Sequence, residues 1–188
     1  MKTLHSTCSE VFGGSFIIHH KGEEKVKKFS SFAGTVTMIQ DYLVNSDEEL
    51  KGCFKLMSLL RVDGSIVNFV ISPTTYFLDR VMVSVGDHVT GFYDVNLPVP
   101  LIYPPQYQAL LIVKDNPYQN VKVDYFDSQL VSSDAQLQLN ISSYTPILLQ
   151  NDQLFTLSPA NRNLLVVYGP TTLSIPAQTT PFKIIVLC

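Results

Sequence analysis

The sequence predicts an all-β fold of two tandem OB-like units, and three observations carry that expectation. Aromatic residues are plentiful, with 9 Tyr and 11 Phe but no Trp, and β-branched residues are common, a bias that suits pleated strands. Short apolar runs recur between Gly, Pro and Asn turns, and no stretch has the apolar period of an amphipathic helix. Residues 83–113 also return in degenerate form at residues 160–187.

The repeat can be followed residue by residue. At an offset of about 75, Val89 falls on Leu164, Gly91 on Val166 and Tyr93 on Tyr168. Across the prolines that follow, Tyr107 falls on Phe182, Ala109 on Ile184 and Leu111 on Val186. Upstream the offset is about 70, with Phe69 on Leu139, Ile71 on Ile141 and Ser72 on Ser142. A short insertion near Asn151 and Asp152 accounts for the difference. A chain of 188 residues accommodates one large or two small domains. The division expected is an N-terminal extension (1–30), a first unit (31–116) and a second unit (117–188). Each unit has about five strands, the count of an OB-like barrel.

Within the extension, residues 11–18 (VFGGSFII) allow a hairpin at the glycines or an arm without pairing. Residues 21–28 (KGEEKVKK) mix both signs and read as a solvated turn or edge. The first unit opens over residues 32–43, with a β-branched run at 35–39 after Gly34. Residues 45–51 (NSDEELK) form a charged loop, with room for one helical turn capped by Ser46 or Asp47. A strand at 53–60 meets Asp63 and Gly64, two residues suited to a type I′ turn, and returns at 66–72. Apolar residues on both parities of that return strand require cover on both faces. Pro73 ends the ladder because it has no N–H to donate. A short strand at 74–78 turns at Asp79 and Arg80.

After Gly86 and Asp87 comes a strand at 89–93, in which Gly91 marks a bulge or a close approach. Pro98, Pro100, Pro104 and Pro105 exclude regular pairing over residues 97–106, so that segment is an extended arm. Its apolar residues predict that it packs on something. Residues 109–113 close the unit, and residues 115–120 (DNPYQN) form the linker. The second unit is expected as strands at 121–126, 137–141, 147–149, 154–157, 164–168 and 184–187. In it Pro170, Pro176 and Pro181 recreate the arm.

Charge narrows the function. The net charge is −3, and residues 129–188 carry only Asp134, Asp152, Arg162 and Lys183. No block forms an electrostatic footprint for a phosphate backbone. A surface so poor in charge favours association, which predicts that some of it packs against the other unit or another subunit. Cys8, Cys53 and Cys188 are an odd set without a C-x-x-C pair, which fits reduced cytoplasmic thiols rather than a disulfide framework. The first twenty residues lack the pattern of a signal peptide, and no apolar span of about 20 residues crosses a membrane as a helix.

The strings GFYDVNLPVPLIYPPQY (91–107), VKVDYFDSQLVSSD (121–134), PANRNLLVVYGPTT (159–172) and SIPAQTTPFKIIVLC (174–188) resemble a family of uncharacterised proteins of Gram-positive, largely clostridial, bacteria. The resemblance covers residues 67–188 and implies no activity or ligand. More loosely, residues 83–94 (VSVGDHVTGFYD) are similar to the Gly-Asp–strand step of small OB-like barrels, a likeness that bears on fold alone.

Chemistry is sparsely signalled. His19 and His20 are adjacent and so point to opposite faces of a strand. With Cys8 or His5 they lack zinc spacing, and the reading is of an exposed pair and no metal. Asp87, Asp94, Asp124 and Asp127 lie in the acidic middle. A carboxylate pair there could hydrolyse a sugar, with Asp94 or Asp124 essential, or bind Ca²⁺. The simpler reading is that Asp87 and Asp94 make turns by bonding the backbone two residues on. No nucleophile elbow, phosphate loop or dinucleotide fingerprint is present. Cys188 has no adjacent base to activate it.

Tyr93, Tyr103 and Tyr107, on or beside the arm, are the candidate ligand-binding residues, since tyrosines there could stack bases or sugars. Alternatively they fill the seam between the repeats. The sequence therefore predicts a non-enzymatic binding or assembly protein without a cofactor, self-associating through its charge-poor C-terminal unit. The alternative is single-stranded nucleic-acid binding through the barrel face, which the acidic charge opposes.

Overall fold

The computed structural model describes residues 27–43 and 48–188. The predicted hairpin at 11–18, His5, Cys8, His19, His20, Ser46 and Asp47 lie outside the described residues. The fold is all-β, and among the described residues its helical parts are two single 3-10 turns, Glu48–Leu50 and Leu78–Arg80.

The first half is built on β1 (Phe29–Asp41), a 13-residue strand that begins ahead of the predicted stretch 32–43 and ends just short of its end. A bulge between Val36 and Met38 bends it, which lets one strand serve two partners. Its beginning pairs antiparallel with β5 (His88–Asp94), and its end pairs antiparallel with β2 (Lys55–Leu60). β2 turns back into β3 (Ile66–Ile71).

The hairpin turn is not the two-residue type predicted. Leu60 pairs with Ile66, and Arg61 N–H donates to the Ser65 carbonyl. Only Gly64 of the pair Asp63–Gly64 has positive φ, at 81°. This is a three-residue loop closed by a left-handed glycine. Asp63 accepts from both the N–H and the hydroxyl of Ser65, and these bonds hold its carboxyl below the usual range.

Where a strand was expected at 74–78, β4 (Tyr76–Phe77) has two residues. Beyond the arm, β6 (Gln106–Gln108) runs parallel to β3, and β7 (Leu111–Lys114) runs antiparallel to β5 and parallel to β4. The strand order is β4-β7-β5-β1-β2-β3-β6. Because β6 is the last strand of that order and β7, only two residues further along the chain, is second from its other end, the sheet curls on itself. It does not close into a barrel.

The second half pairs in a similar way with fewer strands. β8 (Asn120–Phe126) and β13 (Pro181–Val186) flank β11 (Arg162–Tyr168), and β10 (Ile147–Leu149) runs parallel to β13. β9 (Leu137–Leu139) and β12 (Ala177–Thr179) form a separate parallel pair. β12 falls inside the predicted second arm, where prolines masked it. The predicted strand at 154–157 is only a bridge from Leu154 to Leu148.

Side-chain alternation divides the burial into three layers. Val89 on β5 and Ile112 on β7 face the interior of the first half with Val36, Met57, Leu59 and Phe69. Leu164, Val166, Ile184 and Val186 face the interior of the second half with Phe126, Leu137 and Leu139. The other parity meets between the halves, where Tyr76, Leu78, Phe92, Leu111 and Val113 pack on Val123, Leu165, Val167 and Ile185. This is why LIV (111–113), LLVV (164–167) and IIV (184–186) are continuous apolar runs. Each strand is buried on both faces.

The seam also sets orientation. Phe29, level with Asp94 at the end of β5, lies by Leu187, which donates to the Asn163 carbonyl near the start of β11. Val121, opposite Val167 near the end of β11, lies by Thr90 near the start of β5. β5 and β11 therefore run in opposite directions across the seam, and the arms that follow them leave from opposite ends.

Candidate functional site

Two of the three candidate tyrosines come together. Tyr93 and Tyr107 stack with ring centroids 4.1 Å apart, and Phe32 lies over Tyr93 at 5.8 Å, nearly parallel. Phe69, fully buried, touches all three rings from below. The Arg61 guanidinium sits 5.2 Å from the Phe32 centroid, a favourable cation–π placement. Burial raises the Tyr107 hydroxyl, and the neighbouring Tyr93 raises it further. These rings plug the end of the curled sheet from which the arm leaves, so much of each face is spent on a neighbouring ring.

Tyr103 is elsewhere. It lies on the arm, 84% exposed, just before a cis peptide bond to Pro104. None of the three tyrosines belongs to the seam, which corrects the expectation that they fill it. The physical reason is parity: Tyr93 shares a face with Val89, whereas Phe92 points the other way and enters the seam.

The arm does not pack along its length either. Both ends are tied down, because Asn96 N–H and the Asn96 amide donate to Asp94 and Asn68 N–H donates to the Pro105 carbonyl. Between these anchors Leu97, Val99 and Ile102 are exposed, and Leu101 is completely so.

The aspartates stand apart in separate local roles. Asp94 accepts from the backbone two residues on, as a turn-maker does. Asp87 instead accepts from Ser84 N–H, three residues back, and pairs with Lys114, which holds its carboxyl low. Asp124 accepts from the Ser133 hydroxyl and from Tyr125 N–H, and Asp127 accepts from Gln129 N–H and Val131 N–H. Among the described residues no three His, Cys, Asp or Glu side chains gather as a metal site. Also among the described residues, no helix is long and apolar enough to cross a membrane.

A groove missed by sequence reasoning opens at the other end of the curled sheet. It has a volume of about 500 Å³ and is walled by Ile39, Met57, Ile71, Phe77, Met82 and Val83, within the size range of ligand pockets. Met57, Ile71, Phe77 and Val83 also belong to the interior of the first half, so the groove looks into that core. Segment 72–87, which links β3 to β5, crosses this end as turns rather than as a covering helix. Lys55 and Arg80 stand at its rim, paired with Asp41 and Asp152. The chain matches no protein-family model and no curated protein sequence.

Proposed function

We propose that this chain is a cytoplasmic, non-enzymatic binding or assembly protein made of two OB-like units related by duplication. One observation carries the assembly reading: the arm is an uncharged, apolar segment, anchored at both ends and exposed in between. Apolar side chains on a rigid frame are an interaction surface. Charge repulsion would not oppose contact, since the arm contains no Asp, Glu, Lys, Arg or His. The two free cysteines among the described residues, Cys53 and Cys188, fit a reducing compartment.

The OB-like assignment draws support from strand neighbours. A long bent first strand is shared by β2 and β5, and β3 runs parallel to the last strand, as in a partly open five-stranded barrel. Duplication draws support from matched pairings. β3 with β6 resembles β9 with β12, β4 with β7 resembles β10 with β13, and β5 with β7 resembles β11 with β13. Even side-chain bonds recur: the Thr75 hydroxyl donates to the Ala109 carbonyl and accepts from Ser72 N–H, while Thr145 does the same with Pro181 and Ser142. The β2 hairpin has no counterpart in the second half.

Light scattering on purified protein over a concentration series tests the reading. Particle mass rising with concentration supports it, and a strictly monomeric particle throughout removes it.

A further inference from the structure

We propose that the arm of one molecule seats its tip in the groove of the next, joining copies head to tail; this rests on the assembly reading above. The tip is Leu101, Ile102 and Tyr103, and the groove is the one walled by Ile39, Met57, Ile71 and Phe77 with Val81 and Met82 on its lip.

Placement comes first. β5 carries the chain from segment 72–87, which forms the groove's lip, to Asp94, where the arm departs. Donor and acceptor are thus two different surfaces of the first half. A surface that differs from the surface it binds makes a heterologous contact, which propagates into an open chain or closes into a ring.

Chemistry agrees. Residues 95–113 contain no Asp, Glu, Lys or Arg, so inserting the tip buries no charge. The cations at the groove rim are already neutralised by Asp41 and Asp152, so the groove favours an uncharged occupant over an anionic one. Met57 and Met82 line it, and their unbranched thioethers adapt to an inserted side chain.

The second arm is a poorer occupant although Leu173 and Ile175 are also exposed. Its polar residues bond among themselves, with Thr172 paired to Ser174 and Ser174 donating to the Pro176 carbonyl. That loop would carry hydroxyls into an apolar cleft.

Sedimentation velocity of the full-length chain tests this with three double variants at exposed positions, each checked for an unchanged thermal melt. Leu101→Asp with Tyr103→Asp removes the tip, Val81→Glu with Met82→Glu blocks the groove, and Leu173→Asp with Ile175→Asp is the control. The expected result is that tip and groove variants each stay monomeric where the parent associates, while the control behaves as the parent. Mixed together, the tip and groove variants form a 1:1 pair and nothing larger, because one intact tip and one intact groove remain. Association that persists in the tip variant overturns the proposal, and so does a mixture that yields no pair. Loss in the groove variant alone assigns the groove to a different segment and also overturns it. A parent chain that never associates ends the assembly reading along with this one, whereas association indifferent to both variants ends this one only.

Discussion

At Gly91 the first core has no room for one more carbon. A Cβ there would stand 2.7 Å from the Phe69 ring, and that ring is fully buried among Phe32, Tyr93 and Tyr107. Gly91→Ala is expected to destabilise the fold by about 1–3 kcal/mol, the usual cost of overpacking, as read by chemical denaturation. An unchanged midpoint would show that Phe69 yields freely. Gly91 was legible as a close approach because glycine interrupts a strand pattern there, but the approaching ring belongs to another strand and was not.

Tyr76 makes a second residue-scale prediction. Burial in the seam, and next the negative charges of Asp152 and Asp79, push its hydroxyl up to about 12. The folded state thus holds this proton more tightly than the unfolded chain, where tyrosine titrates near 10. Its contribution is fully present below pH 10 and is lost as pH rises from there through about 12. Denaturation midpoints followed over that window should fall less steeply for Tyr76→Phe than for the parent. Equal slopes would place the proton elsewhere.

At the scale of elements, β11 and β13 show how much of the sheet pattern could be read. The run 164–168 was recognisable as a strand. Which neighbours cover each face was not recognisable, since Leu164 and Leu165 are identical in type yet serve the second core and the seam respectively. Leu165→Ala removes a fully buried side chain from the seam and should cost about 2–5 kcal/mol, measured by denaturant unfolding. A loss well below that range would mean the halves close over the gap. Other elements were hidden for definite reasons. β12 follows a proline, and its three residues pair with a distant strand rather than a hairpin neighbour. β1 starts at Phe29 rather than at Phe32, where the sequence pattern opens, because pairing with β5 imposes strand conformation on Phe29, Ser30 and Ser31.

At the scale of the whole molecule, the few charges of the C-terminal region are largely committed. Asp152 holds Arg80 at 2.5 Å, and Lys183 pairs with Asp79. Both pairs join the halves, beside Tyr76. Asp134 pairs with Lys122, and Arg162 covers the Phe155 ring. Few cations are thus left to neutralise phosphates on this face, and Tyr93 and Tyr107 spend much of their ring surface on each other. Titration with a labelled single-stranded oligonucleotide at low salt is expected to show no saturable binding, because phosphate neutralisation supplies most non-specific affinity. Saturation there would revive a nucleic-acid role.

From local chemistry alone, the chain prescribes that it is β throughout, where Gly64 and the prolines break it, and that an extended arm covers residues 97–106, which the structure places at 95–105. Those properties depend on φ preferences, on missing N–H donors and on the period of side chains, all of which act within a few residues. Only the packed molecule decides which parity of β5 and β11 meets at the seam, that Tyr103 stands apart from Tyr93 and Tyr107, and that a groove opens between Ile39 and Met82. Those outcomes depend on contacts between residues tens of positions apart, and no local preference distinguishes one buried face of a strand from the other.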